Sequence, residues 1–176
     1  GYDLARLQAG LEIAPTSVVE AANASSTAFA PPPQISTYDA FDVVVVDDIT
    51  VRVHARETQD AQANVFLIHG AGGGAWVWEE FFEGLPQTYN LYALSWRGHF
   101  ESTPVEDANS SDYVEDQMAV LRAISARNNL PTHVIGHSYG GATAVLMAAR
   151  DDANVTSLHL LAPVAPLDYS LTQRLL

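Results

Sequence analysis

The sequence has no cysteine and no lysine among its 176 residues. Without cysteine there is no disulfide framework, thiol nucleophile or thiolate metal site, and the redox compartment is left open. The missing lysine leaves arginine as the only strong cation, with 8 basic against 21 acidic residues and a formal net charge of −13. A nucleic-acid backbone or an anionic membrane surface needs clustered cations that displace counterions, so both are excluded as partners. No apolar run approaches the roughly 20 residues of a membrane span, and the N-terminus lacks the charged-then-apolar pattern of a signal peptide. What remains is a composition that folds: 48% hydrophobic and only 16% charged.

The chain divides by pattern. Residues 1–37 read as an extension or linker, with Leu4, Leu7 and Leu11 on one helical face and an Ala, Ser and Thr stretch closed by Pro31-Pro32-Pro33. It begins at Gly1, as a processed precursor or a trimmed chain would. From residue 38 the pattern is regular. Phe41 to Val46 and Ile49 to Ala55, joined by Asp47-Asp48, form an expected hairpin. Val65 to Ile68, Tyr89 to Trp96, His133 to Ile135 and Val155 to Leu161 read as further strands. Trp76 to Leu85, Ser111 to Asn128 and Ser138 to Arg150 read as the helices between them. In the second helix Asp112 and Glu115 stand three apart as a capping-box pattern. Strands that alternate with helices and are nearly all apolar predict a mainly parallel, twisted α/β sheet covered on both faces.

The densest chemical signal is Gly136-His137-Ser138-Tyr139-Gly140, followed by Gly141, between an expected strand and an expected helix. Glycines on either side of Ser138 permit a sharp strand-to-helix turn that leaves the serine Oγ exposed, above a helix N-terminus that favours developing negative charge. A chance serine in a tight turn is the alternative, and the surrounding elements weigh against it.

On these residues the chain resembles the α/β-hydrolase superfamily from about residue 41 to 168. His69-Gly70-Ala71-Gly72-Gly73-Gly74-Ala75-Trp76 follows the third strand, where that family keeps its oxyanion loop, and it is most similar to the esterase and hydroxynitrile lyase branch. The resemblance implies Ser138 as nucleophile and the backbone N–H groups of Ala71 and Tyr139 as oxyanion hole. His69, Gly70, Gly136, His137 and Gly140 take supporting roles. Arg97-Gly98-His99-Phe100-Glu101-Ser102 resembles the family's R-G-x-G-x-S turn, with Phe100 where the second glycine belongs, and Arg97 is read as structural. Trp76, Trp78, Phe81 and Phe82 are read as core.

A serine hydroxyl needs an imidazole to take its proton and a carboxylate to orient that imidazole. The family's order is Ser, acid, His, and only His159 follows Ser138. It sits in an apolar strand and reads as a core histidine. Asp168 is a minor candidate for the acid, with a helix N-cap as the competing reading. Matching elements to the family accounts for strands up to the sixth, so the fold is expected to be incomplete: 38–168 as the N-terminal portion of the core and 169–176 as the start of a lid insertion. The expectation is one chain of a serine hydrolase cleaved near Leu176. A second polypeptide would then supply the base, the acid and the last strands, and would cover the open edge at the sixth strand. The substrate expected is a small ester or related acyl compound, and the reading calls for no cofactor or metal. A catalytically inactive binding subunit and a hydroxynitrile lyase are the competing functions. Asn-x-Ser/Thr sites at Asn23, Asn109 and Asn154 point to an extracellular or periplasmic location.

Overall fold

The computed structural model describes residues 38–164. The expected N-terminal extension, Asp168 and the expected lid segment lie outside the described residues. Six strands form one sheet: β1 (Asp39–Val46), β2 (Ile49–Arg56), β3 (Ala63–Ile68), β4 (Tyr89–Ser95), β5 (Thr132–His137) and β6 (Ser157–Leu161), in the spatial order β1-β2-β4-β3-β5-β6. The pairs β1–β2 and β2–β4 are antiparallel, and β4–β3, β3–β5 and β5–β6 are parallel. The expected hairpin is present, and Asp47 makes its turn in the left-handed region at φ 49°, a conformation that aspartate tolerates.

The apolar β3 strand shows why no alternation was visible in the sequence. Phe66 and Ile68 point into one core with Val53, Leu94 and Val134, while Val65 and Leu67 point into a second core with Leu91 and Ala93. Both faces are covered, so both sets of side chains must be apolar. Two helices, α2 (Ser110–Asn128) and α3 (Tyr139–Ala148), supply Met118, Leu121, Ile124 and Met147 to the first core. Against the second packs a 3₁₀ turn, Ala75–Trp78, followed by the short α1 (Glu79–Gly84). The sequence predicted one helix over Trp76 to Leu85; the short helical turn ahead of Glu79 divides it. Trp78 and Phe82 are core, as expected, while Trp76 and Phe81 are only half-buried.

The helix α2 starts one residue earlier than expected, and its cap is correspondingly different. Asn109 is the N-cap: its Oδ1 accepts from the Ser111 and Asp112 amides at 2.8 and 3.4 Å, and Asp112 Oδ2 accepts from the Asn109 amide at 2.9 Å. The capping box is therefore Asn109 with Asp112. Glu115 instead receives Arg150 Nη1 at 2.5 Å.

On the second face, β5 and β6 are left uncovered among the described residues. A groove of about 320 Å³ runs there, lined by Val65, Leu85, Ile135 and the pair His133 and His159. This corrects the reading of His159 as a core residue: it is exposed, and its Nε2 lies 3.0 Å from Ser157 Oγ. The strand itself is at the sheet edge, pairing with β5 alone among the described residues, and Leu160 and Leu161 are each 40% exposed.

One buried ion pair ties the loop after β4 to α2. Arg97 donates from its backbone amide to Asp116 Oδ2 at 3.0 Å and from Nε to Oδ1 at 2.8 Å, and Asp116 is fully buried. Burial pushes the Asp116 carboxyl above its usual range, against the opposing pull of the Arg97 hydrogen bonds. Removing one partner strands the other charge out of water. Asp116→Ala is expected to destabilise the fold by about 3–5 kcal/mol, read as a lowered urea midpoint.

Candidate active site

The connections of β3 and β5 leave in opposite directions, towards β4 on one side and β6 on the other. Adjacent parallel strands that diverge in this way leave a crevice above their carboxyl ends. Both chemical motifs sit in it: the His69–Gly74 loop follows β3, and Ser138 follows β5.

Ser138 is the N-cap of α3 with φ 52° and ψ −121°. A serine avoids that region unless its surroundings impose it. The glycines on either side explain how the turn is possible. A Cβ on Gly136 would stand 2.8 Å from the Gly140 carbonyl oxygen, and one on Gly140 would stand 2.1 Å from the His69 carbonyl oxygen. The second distance is impossible for a real side chain, so Gly140 is what allows α3 to start against the end of β3. Hydrogen bonds then hold Ser138 from outside its own strand. Its amide donates to Leu161 O at 2.9 Å, and its carbonyl accepts from Gly141 N at 3.0 Å and Val164 N at 3.2 Å.

The His69–Gly74 loop passes beside Ser138. A Cβ on Gly70 would lie 3.0 Å from Ser138 Cβ, and Ala71 beyond it is exposed. Tyr139 is the first residue of α3, where a helix leaves its N–H without an intrahelical partner. Its side chain points elsewhere: the hydroxyl lies 2.6 Å from Ser110 Oγ and the ring stands edge-on to Trp96. Thus Ala71, Gly70, Ser138 and Tyr139 share the crevice.

His69, His99 and His133 are engaged otherwise. His69 is fully buried; its Nδ1 donates to Gly70 O at 2.7 Å, and its Nε2 accepts from the Trp96 amide at 3.3 Å. An imidazole that donates at one nitrogen and accepts at the other is neutral, and burial lowers its pKa to about 3. It fixes the loop and has no lone pair free for the serine. His99 Nδ1 faces Arg97 O at 3.1 Å, and His133 Nδ1 faces Ser157 Oγ at 2.8 Å. His54 in β2 is buried with its Nε2 3.9 Å from Glu101, and desolvation lowers its pKa. His137 is exposed, and its Nδ1 lies 3.3 Å from where a Gly70 Cβ would be. Among the described residues no imidazole hydrogen-bonds Ser138, and no group of three metal-ligating side chains occurs.

The sequence profile of the alpha/beta hydrolase fold matches residues 63–174, well over half of the chain. The chain belongs to the α/β-hydrolase fold family. A pimeloyl-[acyl-carrier protein] methyl ester esterase of Neisseria meningitidis is 32% identical over 108 residues, covering 61% of this chain and 32% of the esterase. Among solved structures, an esterase from Exiguobacterium antarcticum superposes with a TM-score of 0.61 at 20% identity, over 71% of this chain and 46% of that one. The bottromycin epimerase BotH does so with a TM-score of 0.60 at 30% identity, over 69% and 47%. The chain therefore spans about a third of that esterase and just under half of the two structures. An α/β-hydrolase sheet running as far as β6 is what residues 38–164 hold.

Two outcomes follow from this geometry. Gly140→Ala is expected to cost at least about 3 kcal/mol, because either α3 or the end of β3 must move; a chemical denaturation midpoint measures it. His69 titrates near 6.5 when free and near 3 when folded. Its contribution is therefore complete above pH 6.5 and is lost as pH falls towards 3, at up to about 1.4 kcal/mol per pH unit. Nitrogen-15 NMR of the imidazole should show the Nδ1-protonated neutral form persisting well below pH 6.5.

Proposed function

We propose that this chain carries the nucleophile and oxyanion hole of a serine hydrolase acting on carboxylic esters or related acyl compounds. The observation that carries the reading is the strained backbone of Ser138 at a strand-to-helix turn, with the Gly70–Ala71 backbone beside it. Ser138 Oγ attacks the acyl carbon while an imidazole accepts its proton. The carbonyl oxygen, now negative, takes hydrogen bonds from the Ala71 and Tyr139 N–H groups. The imidazole returns the proton to the departing alcohol, and water releases the acid from the acyl-enzyme by the same steps. The esterase among the relatives supports this substrate class.

The base and its carboxylate come, in this reading, from a second polypeptide that also extends the sheet at β6. Two observations support it: among the described residues no imidazole hydrogen-bonds Ser138, and β6 pairs with β5 alone, presenting exposed Leu160 and Leu161 at the sheet edge. A parallel edge strand of this kind is covered in native proteins. The likeness to an epimerase favours a second reading, in which the same crevice binds or converts a ligand without an acyl-enzyme.

A fluorophosphonate probe separates the two. In the intact assembly Ser138 is expected to be labelled and Ser138→Ala to lose labelling and ester hydrolysis by at least about a thousandfold. An unlabelled Ser138 in active material overturns the hydrolase reading. Native mass spectrometry of the same material should show a second polypeptide; a lone active chain overturns the two-chain proposal.

A further inference from the structure

The turn after β4, kept by its own backbone hydrogen bonds, holds another residue in a strained conformation. Phe100 has φ 47°, a left-handed backbone, where a glycine would be free of strain. The residue is 42% exposed, so a large part of its apolar side chain stays open to solvent. Strain kept at a residue that leaves an aromatic face in solvent points to a role at a site.

The ring's neighbours say which site. A Cβ on Gly74 would stand 2.6 Å from Phe100 Cδ2, so the phenyl ring lies directly on the backbone of the oxyanion loop. Trp76 meets it edge-on, with ring centroids 6.1 Å apart. The same loop runs back through Gly73, whose Cβ would be 3.2 Å from Gly70 O, to Gly70 and Ser138 Cβ. An apolar surface of Phe100, half-buried Trp76 and exposed Val77 thus continues from the loop that flanks the nucleophile.

We infer that Phe100, backed by Trp76, is a specificity-determining residue that favours substrates with an extended or bulky hydrocarbon acyl group. This rests on Ser138 being the nucleophile. A short acyl group leaves the aromatic surface in water, whereas a long one covers it and gains from its burial. Phe100 touches the substrate's hydrocarbon and takes no part in bond making.

Phe100→Gly tests this cleanly, because glycine suits the local backbone and the variant should melt no lower than the wild type. In the intact enzyme, labelling rates at Ser138 are compared for an ethyl and a decyl fluorophosphonate. The wild type should prefer the decyl probe. Phe100→Gly should reduce that preference by about tenfold while leaving the ethyl rate within about twofold. Phe100→Asn, polar but tolerant of the left-handed region, should do the same. An unchanged ratio in both variants overturns the inference, as does an equal fall for both probes, which would mean that Phe100 only fastens the loop. Absence of labelling from every form, wild type included, overturns the nucleophile assignment itself.

Discussion

The site depends on one contact: the backbone at the end of β3 running against the first turn of α3. No side chain fits between them at Gly140, where a methyl group would stand 2.7 Å from Ile68 O and still closer to His69 O. That proximity forces Ser138 into its unusual conformation and brings the Gly70 backbone alongside it. A strained residue of this kind costs about 1–3 kcal/mol and persists only where its surroundings leave it no alternative. Here they are rigid. Phe66, Leu67 and Ile68 are fully buried between two cores, and the serine's amide and carbonyl are fixed by bonds to Leu161, Gly141 and Val164.

The polar interior serves the same end. His69 spans the loop after β3 and the amide of Trp96, and Arg97, the next residue, is locked to Asp116 in α2. The loops after β3 and β4 are thereby tied to each other and to the helix layer. His69 is held neutral and the Arg97 charge is compensated by Asp116, so neither leaves a free charge in these loops. Ser138 stands at the N-terminus of α3, where backbone N–H groups lack intrahelical partners and favour negative charge.

Much of this was legible in the sequence, for identifiable reasons. The elbow was readable because glycine at 136, 140 and 141 has a steric cause that few other turns share. The strands were readable because apolar residues on both faces leave an unbroken run. The misreadings lay where local pattern and tertiary placement part. His159 sits in an apolar run, yet among the described residues its strand is at the sheet edge and the face it points to is uncovered, so it is exposed. Asp112 and Glu115 both suit a first turn, but the cap was decided by Asn109 one position earlier. The cost of Phe100 replacing glycine was invisible as well, because backbone strain depends on the turn being kept, and the turn is kept by His99 N to Trp96 O and Ser102 N to His99 O bonds.

The β6 edge is coupled to the chemistry through the backbone. Leu161, the last residue of β6, accepts the Ser138 amide, and Val164, just beyond it, donates to the Ser138 carbonyl. Pro163 packs against the start of α3, 3.0 Å from where a Gly141 Cβ would be. Any shift of β6 along β5 therefore displaces the very groups that hold Ser138 in its strained form. An edge strand free on one side is the element of a sheet most able to shift or fray. In the proposed two-chain arrangement, a strand added against β6 would remove that freedom and also sharpen the geometry at Ser138, even where it touches no reacting atom.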